Sequence, residues 1–138
     1  MKWSVTLLMG ATIFRTQTIF FVSTVEAFGG PSPNAWFGPW VSDAVIGLLV
    51  PVMIFVLWTK HTPRAWGALV TYNSLGAFDY SHGLLTQFFH PVPVEIAPPM
   101  TVYLGIGVFM VLQLVAIGLL FRRSVVAHFW ADPDDLSA

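Results

Sequence analysis

Four apolar runs, at residues 3–27, 40–58, 65–89 and 100–121, occupy most of this 138-residue chain. Each is close to the length of about 20 residues that a helix needs to cross the hydrocarbon core of a bilayer. Lipid offers no partner to a free N–H or C=O, so runs of this kind fold as helices that satisfy their own backbones. The links between them, GGPSPNAWFGP, KHTPR and HPVPVEIAPP, are short and rich in the Pro and Gly that end helices. Short links make consecutive helices antiparallel. The expected fold is therefore all-α: one integral membrane domain over 1–138, a four-transmembrane-helix bundle running up-down-up-down. The stretch 124–138 reads as an interfacial tail, with Val125, Val126, Phe129 and Trp130 near the membrane surface ahead of an acidic end.

Composition excludes several classes of function. Hydrophobic residues are 56% of the chain and charged residues 9%, far from the balance of a soluble domain. The six Lys and Arg are scattered and the net charge is −1, which leaves no footprint for nucleic acid. Cysteine is absent, so disulfides, thiolate metal ligands and CxxC redox chemistry are excluded. The start has the basic residue and apolar run of a signal peptide, but Arg15 and Gln17 interrupt it and the run continues to Phe28. A retained first helix is expected.

If the four runs alternate, Lys2, Lys60, Arg64, Arg122 and Arg123 all fall at one end, and the two links at the other end contain no Lys or Arg. The positive-inside rule then puts both termini in the cytoplasm, in a multi-pass protein of a bacterial cytoplasmic (inner) membrane. All six tryptophans lie near run ends, as an interfacial aromatic belt requires. Pro51 is expected to kink the second helix, with Gly47 one turn earlier permitting close helix contact.

Chemistry is concentrated in the third run, where Asn73, Asp79, His82 and Gln87 interrupt the apolar pattern. An ionised side chain at the middle of a bilayer costs at least about 2.5 kcal/mol on insertion scales, so these groups need polar partners on other helices. At 1.5 Å per residue, Arg15 is about 18 Å and Asp79 about 21 Å from the basic end of their runs. Their similar depth makes them a candidate ion pair. Leu8, Ala11, Arg15, Thr18, Val22 and Glu26 form a stripe at helical spacing, and Asp43 and Glu26 lie nearer the outer interface. His82 follows Asp79 by one turn. The expected polar cluster is thus Arg15, Glu26, Asp43, Asn73, Asp79 and His82, either as a ligand site or as a packing network.

Among the four histidines only His82 lies well inside a run. His61 and His90 fall at opposite interfaces and His128 in the tail, so no bis-His haem is expected. His82 is left as the residue that could ligate a chlorophyll-type magnesium, a bacteriochlorophyll contact, or hydrogen-bond a quinone oxygen. No Ser-His-Asp order, HExxH helix or phosphate-binding Gly loop occurs, and no catalytic residue or metal site is expected.

WFGPWVSDAVIGLLVP (36–51), YNSLGAFDYSHGLLT (72–86) and PPMTVYLGIGVFMVLQL (98–114) together resemble a family of uncharacterised small bacterial multi-helix integral membrane proteins. Its pattern is an aromatic entry, a Gly-Asp pair opening a helix, Gly and Pro one and two turns on, then Asn-x-x-Gly-x-x-Asp. The matching positions are Asp43, Gly47, Pro51, Asn73, Gly76 and Asp79, with Ser42 where Gly is usual. The resemblance implies a shared helical fold and no particular activity.

The functional expectation is a non-enzymatic accessory or structural subunit, embedded in lipid and docked against other membrane subunits, in a photosynthetic or respiratory complex. The chain has little extramembrane mass and an aromatic-rich surface, as such a subunit would. The alternative is a small-molecule binder or transporter using the polar cluster. A lesser alternative is a protein holding a pigment, haem or quinone through His82.

Overall fold

The computed structural model describes residues 2–130. Every regular element in that range is helical. The first apolar run forms α1 (Lys2–Ala11), a 3₁₀ stretch (Thr12–Gln17) and α2 (Thr18–Ser23), then breaks at Thr24 into the short α3 (Val25–Phe28). Three long helices follow, α4 (Pro33–Thr59), α5 (Pro63–Phe89) and α6 (Pro99–Leu120), and then α7 (Arg123–Trp130).

Proline sets where the long helices begin. Pro33, Pro63 and Pro99 each occupy the first turn, where the missing N–H has no intrahelical acceptor to lose. Thr62 caps α5 by accepting from the Ala65 N–H. Residues 33–39 of the link expected before residue 40 are in fact the first two turns of α4, which runs unbroken through Pro39 and Pro51. A proline removes one N–H from the ladder, and the helix continues through both positions, Pro39 buried and Pro51 exposed.

The first run packs against α4 and α6, and α5 packs against the same two helices. Within 2–130, three helical segments are long and apolar enough to cross a membrane: Lys2–Ser23, Pro33–Thr59 and Pro99–Leu120. The fourth expected span, α5, has the length but carries too many polar residues to join that set. It instead has the longest list of buried residues, and Asn73, Asp79, Thr86 and Gln87 are among them, whereas His82 is exposed.

The two ends of the molecule differ. At the basic end, Val5, Met9, Val50, Leu57, Leu69 and Leu120 form an apolar core that Val125 and Phe129 of α7 complete. Residues 124–130, expected as part of an interfacial tail, form a helix with one face buried in this core and the other exposed. Val125 and Phe129 are seated in the core because a short turn at Phe121–Arg122 folds α7 back on α5 and α6. The acidic stretch 131–138 lies outside the described residues. At the other end, Trp36 and Trp40 stack at 5.4 Å and pack with Val92. Trp36 Nε1 donates to the His90 carbonyl at 2.8 Å, tying α4 to the link after α5. Both of these tryptophans are buried against protein, while Trp3 and Trp130 are exposed.

Candidate functional site

Hairpin geometry brings the two aspartates level. Asp43 lies 16 residues before the end of α4 at Thr59, and Asp79 lies 16 residues after the start of α5 at Pro63. In an antiparallel pair both therefore stand about 24 Å from the connecting link. Arg15 reaches that level through the 3₁₀ stretch, which rises about 2.0 Å per residue where an α-helix rises 1.5. Gly47 makes room for the approach: a Cβ there would sit 2.6 Å from Thr16 Oγ1 and 2.8 Å from Arg15 Cγ.

The three charges then meet. Arg15 Nε donates to Asp43 Oδ1 at 2.6 Å, and its Nη2 lies 2.5 Å from both Asp43 Oδ1 and Asp79 Oδ2. Ser42 Oγ donates to the second oxygen of Asp79. The guanidinium lies 4.1 Å from the centre of the Tyr80 ring, a cation–π contact. Thr18 Oγ1 lies within hydrogen-bonding reach of the Arg15 carbonyl at 2.7 Å and the Trp40 carbonyl at 3.0 Å, locking the 3₁₀ segment to α4. The Arg15 side chain is 2% exposed, that of Asp79 9% and that of Asp43 20%. Arg15 Nη1 and the Tyr80 hydroxyl are buried and have no hydrogen-bond partner among the described residues.

Two cavities adjoin the cluster, one of about 220 Å³ and one of about 350 Å³. Thr18, Phe21, Asp43, Tyr80, Val102 and Ile106 line both. The smaller runs up under Trp36 and Trp40 and also touches Asp79 and Gly83. The larger lies between the first run, including Arg15, and α6.

Of the six residues expected to cluster, Arg15, Asp43 and Asp79 do so. Glu26 is exposed and makes no ion pair among the described residues. The stripe that placed it beside Arg15 assumed 3.6 residues per turn throughout, whereas the 3₁₀ stretch and the break at Thr24 (φ −124°, ψ 24°) turn Glu26 away. Asn73 is fully buried in a separate polar layer, donating to the Leu69 carbonyl and accepting from Gln113 Nε2 at 3.3 Å. Gly76 leaves space for that glutamine. His82 is exposed, on the outward stripe of Leu75, Phe78, Leu85 and Phe89. A spacing of three residues offsets it by about 60° from Asp79, enough to cross from the packed face of α5 to its outer face.

Sequence reasoning missed Ser42, Thr18 and Tyr80 as members of the site. Tyr80 follows Asp79 directly and Ser42 precedes Asp43, so adjacency to the aspartates was the available signal. Among the described residues no group of three or more His, Asp or Glu is placed to hold a metal ion. No known protein family, curated protein or solved structure matches the chain.

Chemically the arrangement is a clamp with a charge imbalance. One guanidinium faces two carboxylates, and Asp43 is the carboxylate with accessible surface. Such a site can hold a ligand or a proton against a desolvated wall.

Proposed function

We propose that this chain is a non-enzymatic four-span protein of a bacterial cytoplasmic membrane that binds a small molecule in its outer half, with both termini on the cytoplasmic side. The observation that carries this reading is the position of Asp43, which is at once bound to Arg15 and a wall of both cavities. A cluster that only held helices together would be closed over by apolar side chains. This one borders a cavity of about 220 Å³ lined mainly by aromatic and aliphatic groups, the character of a small-ligand pocket.

Gly83 provides the test. It lines the smaller cavity, and a Cβ there would make only ordinary contact with Ile106, at 3.6 Å. Gly83→Leu should therefore fill the cavity while leaving every charged group of the ion cluster in place. A panel of small aromatic compounds, neutral and charged, should raise the melting temperature of the wild-type protein in lipid nanodiscs and leave Gly83→Leu unmoved. Equal shifts in both proteins, or none in the wild type, would remove the reading. Because the chain has no cysteine, single Ser32→Cys and Lys60→Cys variants report orientation directly. A membrane-impermeant thiol reagent applied to intact cells should label the first and spare the second.

A second reading, an accessory subunit of a photosynthetic or respiratory complex, is favoured by the stripe on α5. Leu75, Phe78, His82, Leu85 and Phe89 recur at spacings of three and four residues and all face outward. A helix seam between subunits repeats in this way, and a partner or pigment there would give His82 a polar contact. Mild-detergent extraction from native membranes, with mass analysis and an absorption spectrum of the same fraction, tests it. Stoichiometric co-purification supports this reading; a colourless protein migrating alone counts against it.

A further inference from the structure

We propose that the cavity under Trp36 and Trp40 takes an organic monocation, specifically a protonated amine carrying an aromatic or other apolar body. The inference rests on the small-molecule reading above and names the ligand class.

Charge is the first reason. Arg15 faces Asp43 and Asp79, leaving one negative charge in excess when both are ionised. Lys2, Lys60, Arg64, Arg122 and Arg123 all lie at the far, basic end of the molecule or in the elements that close it. An unpaired charge in such surroundings is strongly unfavourable, and a cation relieves it. An anion could use the free Nη1 of Arg15 but would double the excess. A neutral ligand would leave it to be cancelled by a proton on one of the carboxylates.

Hydrogen-bonding capacity is the second. Arg15 engages Asp43 only through Oδ1, and the Asp43 side chain is the accessible member of the cluster. Tyr80 is 5% exposed, lines both cavities, and its hydroxyl has no partner among the described residues. An ammonium group has several N–H donors. One can go to Asp43, and a turn of the Tyr80 ring toward the cavity offers another its oxygen, which presents no open surface in this structure and has no partner among the described residues.

The walls are the third. Phe21, Phe28, Trp36 and Trp40 line the smaller cavity beside the aspartates. Aromatic faces attract cations most strongly where water is excluded, and they also cover an apolar body. Two exposed carboxylates stand next to lining residues, Glu26 two residues before Phe28 and Glu95 beside Ile96. They give that end of the molecule a negative potential that draws cations in.

The test compares 2-phenylethylammonium with 2-phenylethanol, which share a skeleton and differ in charge. Binding to the full-length protein in zwitterionic nanodiscs at pH 7 is read by calorimetry and by tryptophan fluorescence. The ammonium ion should bind at least about tenfold more tightly than the alcohol. Asp43→Asn should erase that preference, and Tyr80→Phe should lower ammonium affinity several-fold with little effect on the alcohol. Near-ultraviolet circular dichroism checks that each variant is folded. If Asp43→Asn is not, Tyr80→Phe, which deletes a single oxygen, decides. Equal affinity for the two compounds, or a preference for the alcohol, would overturn the inference while leaving a small-molecule site in place. Binding of neither, with no other panel compound sensitive to Gly83→Leu, would remove both.

Discussion

Arg15 and Asp79, 64 residues apart in the chain, meet at 2.5 Å between Nη2 and Oδ2 in the interior, and Asp43 completes the contact from a third helix. The pair joins the first run to α5, two segments whose other packing is mainly to α4 and α6. Its removal should therefore be felt as stability as well as in binding.

The two sides of this contact are not equivalent. Asp79→Asn leaves one guanidinium with one carboxylate, a neutral pair that still accepts from Ser42. Arg15→Met leaves two buried carboxylates facing each other. Breaking a buried pair by deleting one partner costs about 3–5 kcal/mol, and Arg15→Met should reach that range while Asp79→Asn falls well short of it. Reversible unfolding in mixed micelles measures both. An Asp79→Asn loss as large as that of Arg15→Met would show that charge balance does not govern this cluster.

Glycines should separate into three levels. A Cβ at Gly47 meets the Thr16 backbone nitrogen at 2.7 Å, so Gly47→Ala must push the 3₁₀ stretch off α4. Overpacking of this kind costs about 1–3 kcal/mol. At Gly107 and Gly118 nothing lies within 4 Å of a Cβ, and alanine should be tolerated there or should stabilise the helix slightly. Gly76→Ala should be intermediate, because what it meets is the movable amide of Gln113. Melting temperatures of the four variants in one detergent test the order.

Anchoring of α7 should depend on Phe129, which is fully buried in the core at the basic end. Phe129→Ala should cost about 3–5 kcal/mol if the site cannot collapse, whereas Trp130→Ala, at an exposed residue, should cost much less. Protease accessibility of α7 in micelles reports the release directly. Equal sensitivity of the two variants would place α7 on the surface.

The same contact should weaken in acid. The His128 ring packs 4.1 Å from the His61 ring, and burial, then Lys2 and then His61, push the His128 pKa below its ordinary value of 6.5. With the folded pKa below the unfolded one, the unfolded state binds the proton more tightly. Stability is thus complete above pH 6.5 and declines as the pH falls from 6.5 toward the folded value. The melting temperature of the wild type should drop across that interval, and His128→Gln should flatten the dependence.

The apolar runs, the proline-rich links and the segregation of basic residues are local properties, so the sequence by itself determined a helical membrane chain and the approximate extent of its long helices. It also determined that Arg15 and Asp79 lie at similar depth, because depth follows from counting residues along a straight helix. What counting cannot supply is rotation about the helix axis. A 3₁₀ stretch at Thr12–Gln17 changes the turn from 3.6 to 3 residues, and a break at Thr24 resets it; together they turned Glu26 outward and left Arg15 inside. His82 lost its place beside Asp79 by about 60° of rotation. The long helices could pack with any of several faces inward, and only tertiary contact chose among them: Gly47 admitted the Arg15 segment, Trp36 and Trp40 were drawn in over the cavity, and α7 folded back to seal the opposite end. Periodicity encodes which residues are apolar, while the meeting of Ser42, Asp43, Asp79 and Tyr80 around one guanidinium depends on how three helices are turned toward one another.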